Sequence, residues 1–167
     1  MKKTNEINDL LPTKSIVKVI GVGSNIINVL EGLKGADKKL EVIHIHYEEE
    51  HLSNSSFGNS IQIQGSSHEI GIQEEIHHVR KAIEGAELLF ILTDVDNGIA
   101  SIIAQEARRS GIHIVGILND SLMGNEVNHR VQEFINHVDL LFDFSESTSD
   151  SHEALIVDQW YTYHHLF

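Results

Sequence analysis

Strand-length apolar runs alternate along the chain with stretches whose apolar residues recur every three or four positions. This is the pattern of strands interleaved with amphipathic helices. Ile16-Val-Lys-Val-Ile20 reads as a first strand, Gly21-Val-Gly23 as a turn, and Ser24 as the N-cap of a helix with Ile26, Ile27, Leu30 and Leu33 on its apolar face. Gly35-Ala-Asp37 ends that helix. Leu40 to Tyr47 is a second strand, Glu48 to Asn59 a polar loop, and Ser60 to Gln64 a short alternating strand. In Gly71 to Glu84, Ile72, Ile76, Val79 and Ile83 define one helical face, closed by Gly85. Leu88 to Thr93 is continuously apolar, as a parallel strand covered on both faces must be.

The second half repeats the alternation. Asp94-Val-Asp-Asn-Gly98 is a loop, and Ile99 to Arg109 a helix with Ile102, Ile103 and Ala107 facing inward, stopped at Ser110-Gly111. Ile112 to Leu118 is a buried strand. Asn125 to His137 is a helix through Val127, Val131, Phe134, Ile135 and Val138, and Leu140 to Phe144 is a strand. Ser145 to Ser151 is a loop, and Glu153 to Phe167 a last helix bearing Trp160, Tyr161 and Tyr163, which either pack or form a patch for self-association. The order predicts an α/β fold of Rossmann-like, three-layer type, a mostly parallel sheet with helices on both faces. Residues 1–15 are a polar lead-in with the sole proline, Pro12, and residues 16–167 form a single nucleotide-binding-type domain. The loops at the carboxyl ends of the first three strands are expected to meet over one edge of the sheet, where such folds seat ligands.

Composition narrows the function. Twelve basic residues stand against 25 acidic ones, for a formal charge of -13 with histidine neutral. Nucleic acid and anionic membrane surfaces both need clustered Lys and Arg, so neither is expected as a partner. With zero cysteines, disulfides, thiolate metal sites and cysteine nucleophiles are excluded. No signal-like apolar stretch follows Lys2 and Lys3, and the expected location is cytoplasmic.

Several segments, in order, resemble the amino-terminal GTP-binding half of FtsZ, the bacterial tubulin relative. Val17-Lys-Val-Ile-Gly-Val-Gly23 is similar to that family's opening strand and first glycine loop, and Asn25-Ile-Ile-Asn-Val-Leu30 to its first helix. Ile61-Gln-Ile-Gln-Gly65, Val79 to Ile91, Ile114 to Leu118 and His137 to Leu141 are similar to later passages. The resemblance implies nucleotide contacts at Gly21, Gly23, Ser24, Asn25, Asn28, Asn97 and Gly98, with GTP or GDP and Mg²⁺ as the cofactor if one is held. It also implies a homo-oligomer or an FtsZ-like protein as partner. The departures fall in the loops. The first loop is short and has few glycines, because only Gly21-Val-Gly-Ser24 stands where bare backbone N–H groups would cradle phosphate. In place of a GGGTGTG loop the chain has Asp94-Val-Asp-Asn-Gly98, and the third loop reads Ser66-Ser-His-Glu-Ile-Gly71. Two carboxylates facing a triphosphate repel it by about 4 kcal/mol per contact at ~4 Å and an effective dielectric of ~20, unless a cation intervenes. The family's second domain, which supplies its catalytic acidic loop, has no counterpart up to Phe167. The expectation is therefore a degenerate FtsZ-like domain acting as a non-catalytic binding or assembly module, with weak or absent nucleotide binding and by default no cofactor. The alternatives are a GTPase related to cell division and a Rossmann-like sensor of a small anionic metabolite.

Asp94 and Asp96 are the candidate Mg²⁺ ligands, with helix capping ahead of Gly98 as the competing role. His44 and His46 share one strand face, with His51 nearby, but their spacing matches no metal motif. His77-His78 and His164-His165, being adjacent on helices, are not expected to present both rings to one side. The 12 histidines, titrating near pH ~6.5 when unperturbed, cancel most of the net charge once protonated. Solubility or self-association is therefore expected to change sharply between neutral and mildly acidic pH, and light scattering that stayed flat across that range would refute this.

Overall fold

The computed structural model describes residues 16–23, 26, 29–31, 33, 40–47, 60–63, 72–93, 98–118 and 129–143. The elements are β1 (Val17–Val22), β2 (Leu40–Tyr47), β3 (Ser60–Ile63), α1 (Ile72–Ile83), β4 (Leu88–Thr93), α2 (Gly98–Arg109), β5 (His113–Leu118), α3 (His129–His137) and β6 (Leu140–Asp143). Residues 29–31 and 33, between β1 and β2, are also helical. The lead-in, the 48–59 and 66–71 loops, the 94–97 segment and everything after residue 143, including the expected last helix, lie outside the described residues.

The six strands form one sheet in the order β3-β2-β1-β4-β5-β6, and every pairing is parallel. This is the Rossmann-type order, with its change of direction between β1 and β4. The first three strands do sit side by side, but the reversal falls at β1/β4 rather than among them. β1 and β4 are buried at every residue, as their unbroken apolar sequences require of strands covered on both faces. On one face Ile20, Ile45, Leu89, Ile91 and Ile114 pack against Val79 and Ile83 of α1, Ile103 and Ala107 of α2, and Phe134 of α3. On the other, Val19, Val42, Phe90 and Ile117 cluster with Ile26, Leu30 and Leu33 of the first helical segment. The connection from β1 runs leftward on one face and those entering β4, β5 and β6 run rightward on the opposite face, as right-handed crossovers demand.

β1 extends two residues further than its sequence suggests. Gly21 pairs with both His44 and Leu92 inside the sheet, and the turn begins only at Gly23, with φ at 102°. Gly21 is there for packing. A Cβ would lie 2.4 Å from Leu30 Cδ1 and 2.6 Å from Ile26 Cγ2. Gly116 on β5 plays the same part under the Phe134 ring, 2.9 Å from where its Cβ would stand.

Charges gather at the amino end of the sheet. Buried Lys18 donates from Nζ to the Ala82 carbonyl at 2.9 Å, placing a cation at the C-terminus of α1, and lies 3.4 Å from Glu41 on β2. Glu106 of α2, itself buried, accepts from Arg80 of α1 at 3.0 Å and Arg109 at 3.2 Å and so ties the two helices. Asp139 accepts from the Ile114 N–H at 2.8 Å and donates its own N–H back to the Ile114 carbonyl, locking the entry to β6 against β5. Gly21→Ala is expected to lower stability by about 1–3 kcal/mol through overpacking. Leu30→Val in that background should recover part of the loss, read as a positive coupling in a double-mutant cycle of urea midpoints.

Candidate functional site

Where neighbouring parallel strands send their connections to opposite faces, their carboxyl ends bound a crevice that side chains do not fill, and ligands seat there. In this chain the strands are β1 and β4, in register from Val17↔Leu88 to Gly21↔Leu92. The chain leaves β1 through Gly23, in a left-handed conformation that favours glycine, and leaves β4 after Thr93, which is fully buried. Gly98 is the first residue of α2. Of the sequence-predicted contacts, Gly23 and Gly98 thus stand at the ends of elements flanking the crevice, and Gly21 lies inside the strand. Ser24, Asn25, Asn28, Asp94, Asp96 and Asn97 lie outside the described residues. By sequence they belong to the segments that leave β1 and β4.

The Gly23 turn is held from the side by β2. Its N–H donates to the Ile45 carbonyl at 3.0 Å. Its carbonyl accepts a 2.7 Å bond from His44 Nε2. A carbonyl can only accept, so the His44 proton sits on Nε2. His44 is wholly buried, on the same sheet face as Leu40 and Val42, and its ring stacks on His46 at 5.3 Å and 27°. Burial pushes the His44 pKa below the ordinary histidine value. The bond to Gly23 opposes that shift, and nearby His46 adds to it. His44 therefore acts as a neutral donor at pH 7.

Sequence patterning placed His44 and His46 on one face but gave no sign of the bond to Gly23. The only hint was a histidine continuing the apolar series Leu40, Val42, because a buried ring of that kind needs a polar partner. With Nε2 committed to a carbonyl, His44 is not arranged as a metal ligand through that atom. Among the described residues, no three His, Asp or Glu side chains come together to hold a metal ion. The rings of His77 and His78 do converge, with centroids 3.9 Å apart and planes tilted by 39°, contrary to the expectation from helical spacing. Both residues are exposed, and their rings meet although their Cα–Cβ bonds diverge.

A groove of about 610 Å³ opens at the opposite end of the sheet, between the C-terminal ends of α1 and α2, over Arg80, Lys81, Glu84, Glu106 and Ile112. Its buried carboxylate is already engaged by Arg80 and Arg109, and helix C-termini present carbonyls rather than N–H groups. The topology points instead to the carboxyl ends of β1 and β4. No helix among the described residues is long and apolar enough to cross a membrane.

No protein-family model matches the chain, and no curated protein does. Among solved structures it is similar to an FtsZ mutant from M. jannaschii, with a TM-score of 0.62 and 16% sequence identity over 97% of this chain and 57% of that one. A short-chain dehydrogenase/reductase from Veillonella parvula gives a TM-score of 0.40 and 13% identity over 74% of this chain and 65% of that one. The chain has an FtsZ-like fold and spans somewhat over half the length of that FtsZ chain.

Because the folded-state pKa of His44 is lowered, the unfolded chain binds its proton first on acidification. The contribution of His44 to stability is complete above pH ~6.5 and is lost as pH falls from there through the folded-state value. Urea midpoints measured from pH 8 to 5 are expected to fall more steeply on the acid side for the native chain than for His44→Gln. Parallel profiles would contradict this.

Proposed function

We propose that this chain is a degenerate FtsZ-like domain that works as a non-catalytic binding or assembly module in the cytoplasm. Its nucleotide affinity is weak or absent, and its partner is a second copy or another FtsZ-like chain. The observation that carries the reading is the adjacency of β1 and β4. That adjacency starts the glycine turn and the Asp94-Val-Asp-Asn97 segment from neighbouring strand ends, at the position where this fold class seats phosphates. An acidic segment beside a turn with few glycines opposes a triphosphate, and the net charge of -13 adds to the opposition at longer range.

Gly21 supports the same reading from the side of packing. In a phosphate-binding loop a glycine bares its backbone to the ligand, whereas Leu30 and Ile26 occupy the space beside this one. The FtsZ-like fold supports the ancestry half of the proposal. The charges of the loops support the loss of hydrolysis.

GTP with Mg²⁺ at millimolar concentration is expected to stabilise the native chain by well under the ~2.7 kcal/mol that a ligand at a hundred times its Kd confers, with no phosphate release. The Asp94→Asn/Asp96→Asn variant should bind GTP about tenfold tighter or more, once the repulsion is removed. Phosphate release that disappears in Asp94→Ala would establish the Mg²⁺-dependent GTPase instead. Stabilisation by a small anionic metabolite but not by GTP would establish the sensor.

A further inference from the structure

We propose that His44 is the positioning residue of the β1/β4 crevice: its imidazole holds the Gly23 carbonyl to β2 and thereby fixes the left-handed turn through which the chain leaves β1. The consequence for ligands rests on the crevice being the binding site. The holding of the turn does not.

Four observations converge on His44. The bond from Nε2 to the Gly23 carbonyl is short, at 2.7 Å, and spans 21 residues of sequence, so it is a tertiary tie rather than a local turn contact. The Gly23 N–H is tied to the same strand, to the Ile45 carbonyl at 3.0 Å, so both polar groups of the turn residue are anchored on β2. Gly23 has a φ of 102°, a region that glycine also leaves readily, so without anchors the turn samples other conformations. His44 is fully buried beside Gly21, in register with it, and its ring is braced by His46 at 5.3 Å.

A core position on this strand face is filled elsewhere by Leu40 and Val42. Burying an imidazole there is costly unless its polar atoms are used, and its Nε2 is spent on the one backbone carbonyl that sets the exit from β1. An aliphatic residue would satisfy the core equally well but would leave the Gly23 carbonyl without that donor. In a site read by backbone groups, the ligand meets only what the turn presents. A residue that fixes the turn therefore governs binding without touching the ligand.

The test begins with the native chain. A long-range ¹H–¹⁵N spectrum of the histidine side chains is expected to show His44 as the neutral Nε2–H form at pH 7.5, and the Nδ1–H form would overturn the proposal. In His44→Leu, amide hydrogen exchange at Gly23 should speed up by about tenfold or more, while Ile20 and Ile91 in the sheet stay within about twofold. In His44→Gln, whose side-chain N–H₂ reaches a similar position, protection at Gly23 should largely return. Unchanged Gly23 exchange in His44→Leu, or loss of protection at all three residues in both variants, would overturn it. Titration of the native chain and both variants with GTP–Mg²⁺ and with inorganic phosphate separates the two layers. Any affinity of the native chain should fall in His44→Leu and return in His44→Gln, and an affinity indifferent to both would remove His44 from the site. A native chain that binds neither probe ends the reading of the crevice as an anion site, and the holding of Gly23 is then decided by the tautomer and the exchange rates.

Discussion

The first helical segment lies so close to the middle of the sheet that the strand beneath it can carry no side chain at Gly21. Leu30 and Ile26 occupy that space, and with Leu33 they are buried against β1 and its neighbours. Most of the architecture depends on this approach. It seals one face of β1, the strand on which both halves of the sheet are built, while α1 and α2 seal the other. It also places the neighbouring His44 ring in an apolar setting, which depresses its proton affinity and commits it to a hydrogen bond within reach. The packing at Gly21 and the geometry at Gly23 are neighbouring demands, met by a missing Cβ at the first and a polar anchor at the second.

The charged pairs of the described residues gather at one end of the sheet. At the amino end, where α1 and α2 finish, Lys18, Arg80, Arg108 and Arg109 meet Glu41, Glu106 and Asp139. Most of these pairs are half-exposed and contribute little, in the range of about 0–1 kcal/mol each. Glu106 is different, because its buried carboxylate would be strongly destabilising without its arginines. Leaving the carboxyl ends, the sequence runs into Glu48-Glu-Glu50 after β2, Asp94 and Asp96 after β4, and Asp120 after β5. The described arginines are used at the helix C-termini, and in sequence the segments after β2, β4 and β5 carry acids.

Much of the fold was legible because strand and helix periods are local. β2 and β4 occupy the residues that their apolar runs delimit, and the glycine stops at Gly85 and Gly111 both adopt positive φ. β1 ends two residues beyond its apolar run Ile16–Ile20, for an identifiable reason. Glycine marks both a bend and a close approach, and sequence alone does not separate them. Gly21 belongs to the second kind, which becomes visible only with Leu30 lying across it. The tie from His44 to Gly23 was invisible for the same reason, since hydrogen bonds between distant residues leave no periodic trace. The FtsZ resemblance was legible in its strands and first helix, the segments that carry the core, and the fold comparison bears it out at that level.

Gly21 at the end of β1 and Gly23 in the turn carry different information. Gly21 would be required by the core whether or not the crevice ever held a ligand, because the helix cannot close on β1 otherwise. Its presence does not call for a ligand. Gly23 lies past the last strand residue, and its left-handed conformation is held by a buried histidine whose desolvation opposes its own protonation. Core packing alone would be served more simply by an aliphatic side chain at position 44 and any regular exit from β1. The polar anchoring of Gly23 is therefore the part of the exit from β1 that packing does not explain. The crevice is to be judged by that turn, not by the number of glycines preceding it.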